Sequence, residues 1–117
     1  MPELKKYQMF IDGEWVDSDT KKTFETLNPE NNKPWAIVPE ASANDVDKAV
    51  KAAQKAFEGE WPNLLPRERA KYIRAIGNKL RENAELLGKV ETIDTGKLYR
   101  ETHKQANYIA EYYDYYA

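Results

Sequence analysis

The sequence predicts an α/β chain in which a β-hairpin and short strands are followed by about four helices. Three observations predict this. Short β-prone runs fill the first third, and near residue 40 the hydrophobic pattern becomes helical. Asp12-Gly13 separates two of the β-prone runs, and a two-residue hairpin turn favours that pair because both of its positions need positive φ. Beyond residue 40, apolar residues recur at three- and four-residue spacing, with Ser, Pro and Asn at the expected helix starts. The expected organisation is a hairpin and short strands over 1–40 and a helical layer over 41–117.

In chain order, Gln8 to Ile11 and Glu14 to Val16 form the arms of the hairpin. Thr23 to Leu27 is a second β-prone run, stopped by Asn28-Pro29, and Trp35 to Val38 a third, stopped by Pro39. Ser42 and Asp45 have the spacing of a capping box, although Asp reaches back less well than Glu. The helix they start carries Val46, Ala49, Val50, Ala53 and Phe57 as one stripe. Asp45 and Asp47 in its first turn and Lys55 near its end suit the helix dipole. A loop over 58–65 carries Trp61-Pro62.

Pro66 opens a second helix, with Ala70, Ile73, Ile76 or Gly77, and Leu80 on one face. A glycine inside a helix costs about 1 kcal/mol against alanine, so Gly77 predicts close packing against another element. Asn83 is expected to cap a third helix bearing Leu86, Leu87, Val90 and Ile93, which Gly96 ends. The last helix, from Glu101 to Tyr116, carries Tyr108, Ile109, Tyr112, Tyr113, Tyr115 and Tyr116 on several faces. Such a helix expects cover on most sides. The other stripes can pack on one another and on the small sheet, but they offer too little surface to enclose it. The expectation is a piece of a larger fold that exposes much of the aromatic surface of 105–117.

Composition narrows the chemistry. The 117 residues include no cysteine, which excludes disulfides, thiolate metal sites and a thiol nucleophile within this sequence. Net charge is −2 with both signs interleaved, unlike the basic footprint of a nucleic-acid binder. No apolar run is long enough to span a membrane and Met1 to Tyr7 lacks the apolar stretch of a secretory leader, so neither nucleic acid nor membrane is an expected partner. A cytoplasmic location is expected. The five glycines are scattered and form no phosphate-cradling loop. His103, alone at a polar helix start, reads as a solvated side chain. The tyrosines read first as interior packing; a nucleic-acid platform would need basic neighbours, whereas theirs are Glu111 and Asp114.

Several ordered stretches carry a resemblance. Phe10 to Val16, Thr23 to Pro29, Val38 to Ser42, Asp45 to Val50 and Ala53 to Phe57 come first. Trp61, Pro66 to Ala70, Glu82 to Leu86, Glu91 to Lys97 and the closing Tyr115-Tyr116-Ala117 follow. Together they resemble the N-terminal segment of the NAD(P)-dependent aldehyde dehydrogenase family, across almost the whole chain. The resemblance implies the α/β family fold, with this piece forming an outer layer of the dinucleotide-binding domain.

The family oxidises aldehydes to carboxylic acids. A cysteine thiolate forms a thiohemiacetal, hydride passes to nicotinamide, and a glutamate-activated water cleaves the thioester. The resemblance implies that the nucleophile, that glutamate and the oxyanion asparagine all lie outside these residues. The isolated chain is therefore expected to be inactive and to bind neither NAD nor NADP alone. The implied partners are the remainder of the dehydrogenase fold or other subunits, with an aldehyde as substrate. In another class stands a non-catalytic interaction module that binds a full-length dehydrogenase subunit.

Two sets of residues carry implied roles. Backbone oxygens of Thr26 and Leu27 with the Asp94 carboxylate match positions that hold Na+ or K+ in family members, and oxygen donors suit such hard cations. Gln105 and Tyr108 match the region of the family's substrate tunnel.

Overall fold

The computed structural model of the protein describes residues 4–117. They form two compact units, one of residues up to 27 with 32–63, the other of 28–31 with 64–117. The change of period near residue 40 thus marks a change of secondary structure, while the units divide after the first long helix.

The first unit holds β1 (Lys5–Lys6), β2 (Met9–Ile11), β3 (Glu14–Val16), β4 (Thr23–Asn28), β5 (Lys33–Pro39) and α1 (Ala43–Glu58), then a 3-10 turn at Trp61–Asn63. The hairpin forms as the sequence predicts: Asp12 has φ 52° and Gly13 φ 83°, and the arms pair antiparallel with Phe10 opposite Trp15. These two rings meet across the strands at 5.0 Å. A separate sheet has the order β1-β5-β4, with β1 parallel to β5. Sequence reasoning misses β1, because two exposed lysines show no alternation. Backbone bonding defines this strand, extended by the Tyr7 N–H donating to the Ile37 carbonyl at 2.9 Å.

The capping box of α1 is present. The Asp45 N–H donates to the Ser42 hydroxyl oxygen at 3.1 Å, and the Ser42 N–H donates to Asp45 Oδ2 at 3.0 Å. The shorter aspartate reaches back after all. The α1 stripe does not pack as expected: Val46, Val50 and Phe57 are 54 %, 62 % and 65 % exposed.

The second unit contains α2 (Pro66–Glu82), α3 (Ala84–Thr95) and α4 (Tyr99–Tyr116). Pro66 opens α2, and the buried residues on its inner face are Ala70 and Gly77, with Ile76 exposed. Asn83 corrects the sequence expectation: its side chain makes no cap bond to α3 and donates instead to the Lys79 carbonyl at 2.9 Å, closing α2. The α3 face also differs, because Ala84 and Gly88 are buried whereas Leu86, Leu87 and Ile93 are exposed. Gly96 ends α3 at φ 75°, as expected. The buried residues of α4 are Thr102, Ala106 and Ala110, and Tyr99, Tyr108, Tyr112, Tyr115 and Tyr116 are exposed.

Candidate functional site

The rotation of α4 is set by small residues at i, i+4 and i+8. Thr102, Ala106 and Ala110 form one stripe against α2 and α3. The Thr102 hydroxyl lies 2.9 Å from the Gly88 carbonyl oxygen, to which it donates, and 3.0 Å from the Thr92 hydroxyl. A Cβ on Gly88 would lie 2.9 Å from the His103 nitrogen, so α3 and α4 approach backbone to backbone. A Cβ on Gly77 would lie 3.1 Å from the Ala110 carbonyl oxygen, the close approach that Gly77 predicts. An ion pair between Arg81 and Asp114 joins α2 to the far end of α4.

At about 100° per residue, positions 108 and 112 lie roughly 200° round the helix from 106 and 110. They therefore face away from the packed stripe. Tyr108 is 56 % exposed and Tyr112 47 %. Their rings meet edge to face, 5.1 Å apart at 85°, and their hydroxyls are 2.8 Å apart. With Glu111, Tyr115 and Tyr116 they line an open groove of about 350 Å3. The hydrogen bond it shares with Tyr108 raises the Tyr112 pKa above that of an ordinary phenol, and the negative charge of an ionised Tyr108 adds to this. Gln105, three residues before Tyr108, shares this outward side and is exposed. Of the α4 tyrosines only Tyr113, half-buried with its Cβ 3.2 Å from a Cβ placed on Gly77, packs inward as the first reading from sequence expects.

The expected cation residues occupy both units. Thr26 and Leu27 are in β4, Thr26 half-buried and Leu27 exposed, and Asp94 is in the last turn of α3. Oxygen donors of the expected type are therefore present in each unit. Among the described residues, no group of three or more His, Asp or Glu is arranged to hold a metal. His103 sits near the start of α4 with its ring 5.7 Å from that of Tyr99.

Sequence reasoning misses the most connected polar cluster. Asp45 is 3 % exposed and accepts from the Ser42 N–H, from the Ser18 hydroxyl at 2.8 Å and from the Asp19 N–H at 3.2 Å. The Ser42 backbone bond dominates in lowering its pKa to about 2; the Ser18 hydroxyl and Asp19 N–H assist against the cost of burial. Half of this cluster is legible as a capping box, but Ser18 stands 27 residues away.

The same arrangement tests the fit to a dinucleotide. A pyrophosphate is commonly held by free N–H groups at a helix start. At α1 the Asp45 carboxylate already occupies that place, and at α2 the Glu68 carboxylate accepts the Leu65 N–H at 2.9 Å. The starts of α1 and α2 are thus each closed by a carboxylate of the chain itself.

Comparison with known proteins agrees with this architecture. The model of the aldehyde dehydrogenase family matches residues 15–117. An aldehyde dehydrogenase of Aspergillus niger is 44 % identical over 100 residues, covering 82 % of this chain and 20 % of its own length. An NAD-dependent aldehyde dehydrogenase from Sinorhizobium meliloti superposes with a TM-score of 0.91 at 31 % identity, over 97 % of this chain and 23 % of that one. A betaine aldehyde dehydrogenase from Staphylococcus aureus, in complex with NAD+, gives 0.88 at 38 % identity, over 92 % and 22 %. The chain belongs to the aldehyde dehydrogenase family and represents its N-terminal segment. It spans less than a quarter of the length of the curated relatives it matches.

Proposed function

We propose that this chain supplies the outer layer of the dinucleotide-binding domain in an NAD- or NADP-dependent dehydrogenase that oxidises an aldehyde to a carboxylic acid. The supporting observation is its uncovered apolar surface: the α1 stripe of Val46, Val50 and Phe57, and the outward tyrosines of α4, lack cover within the chain. In a larger dehydrogenase fold these faces would be the seats for the rest of the domain or for other subunits. The nucleophilic thiol, the base and the dinucleotide cradle come from outside these residues, so the chain alone is inactive. Within the whole, Gln105 and Tyr108 line the route of the aldehyde. The backbone oxygens of Thr26 and Leu27, and the Asp94 carboxylate, are oxygen donors of the kind that suits Na+ or K+. The family chemistry is that of a cytoplasmic enzyme in this reading.

The test is a full-length chimera in which residues 1–117 replace the corresponding segment of a relative such as the Bacillus subtilis betaine aldehyde dehydrogenase, which is 37 % identical over 110 residues. The expected result is a folded protein that reduces NAD or NADP when given an aldehyde. A chimera that folds but forms no reduced dinucleotide, or that does not fold, overturns the proposal. The interaction-module alternative predicts instead a monomeric, cooperatively melting chain that captures an intact dehydrogenase subunit.

A further inference from the structure

The Tyr108–Tyr112 pair does something that neither ring does alone. An exposed tyrosine on a helix ordinarily samples several rotamers. Here the ring of Tyr108 is held edge to face by Tyr112, and its hydroxyl is held at 2.8 Å. The helix beneath cannot rotate freely, because Gly88 abuts the His103 backbone and Arg81 pairs with Asp114. Two phenols joined by one hydrogen bond also retain a spare proton: one hydroxyl donates to the other, and the acceptor keeps its own O–H for a third group. The raised pKa of Tyr112 keeps its phenol protonated well beyond neutral pH.

We propose that Tyr112 is a positioning residue for Tyr108, fixing its ring and directing the spare hydroxyl proton into the groove so that the site favours aldehydes whose tail carries an oxygen acceptor. This rests on the reading of Tyr108 as part of the aldehyde route. An alkyl tail of the same length would leave that donor without a partner once water is excluded, and burying a polar group without one is costly. Glu111 at the groove rim disfavours a carboxylate tail and leaves neutral ether and hydroxyl oxygens as the fitting class.

The experiment uses the full-length chimera described above with 4-methoxybenzaldehyde and 4-ethylbenzaldehyde as a size-matched pair. Unsubstituted chimera is expected to show the lower KM for the methoxy compound. Tyr112→Phe removes only the hydroxyl, and is expected to narrow the KM difference about fivefold, the effect of one neutral hydrogen bond. The kcat ratio of the two substrates should move much less. A merely structural role for Tyr112 would change both substrates alike, and that result overturns the inference, as does an unchanged KM difference. Failure of the unsubstituted chimera to turn over either aldehyde removes the functional reading and this inference together, and is recognised before any substitution is made.

Discussion

Asp45 carries more of the first unit than any other single carboxylate with assigned bonds. It closes the α1 capping box and anchors the Ser18–Asp19 turn. Its pKa is about 2 in the folded chain against an ordinary 3.8, so its ionised form favours folding. That contribution is present above the unfolded value and is lost as pH falls from about 4 towards 2. All three tryptophans, Trp15, Trp35 and Trp61, belong to this unit, so their fluorescence during acid titration reads its unfolding. Asp45→Asn should lower its melting temperature at neutral pH and flatten the acid transition between pH 4 and 2. Gly13 gives a second prediction. Nothing lies within 4 Å of a Cβ placed there, but φ is 83°. Gly13→Val should therefore cost roughly 1–3 kcal/mol through backbone strain alone, read from the same tryptophan melt. At this scale the sequence was legible where both partners fall within four residues: Asp12-Gly13 and Ser42 to Asp45 are readable, whereas the Ser18 bond to Asp45 spans 27 residues and leaves no local signal.

Helix existence was the most legible feature at the scale of elements, and helix facing the least. Periodicity ranks residues by apolar bulk, so it selected Leu86 and Leu87 for the inner face of α3. The structure instead buries Ala84 and Gly88, because backbones in near contact admit only small side chains. The same preference explains why Gly77, rather than Ile76, faces α4. Gly88→Ala should gain about 1 kcal/mol of intrinsic helix propensity. It must also push the His103 backbone away from a 2.9 Å approach, and overpacking of this kind typically costs about 1–3 kcal/mol. The expected net result is a lower melting temperature for the helical unit, followed by circular dichroism at 222 nm. An equal or higher melting temperature would mean that α3 and α4 separate freely. The expected cation ligands and the Gln105–Tyr108 pair were legible only through family resemblance, since one oxygen-bearing strand end or one exposed helix face has no distinctive pattern of its own.

Among the described residues, the fully buried apolar side chains are alanines: Ala36, Ala70, Ala84, Ala106 and Ala110. Many of its large apolar side chains, among them Phe10, Trp15, Tyr115 and Tyr116, are exposed. Apolar patches of several hundred Å2 mark a missing partner or an association surface. The purified chain should therefore brighten ANS and scatter light as it self-associates; a monodisperse monomer that leaves the dye dark would contradict this. Given NAD or NADP and a panel of aldehydes, it should form no reduced dinucleotide above blank, because it contains no thiol to attack the carbonyl. The Asp45 cluster also bears on how the chain emerges from a ribosome. Ser18 and Asp19 precede Asp45, so both donors are already exposed to solvent when the carboxylate leaves the exit tunnel. The start of α1 can thus be sealed before α4 has emerged, and the nascent chain acquires one ordered block ahead of its last helix.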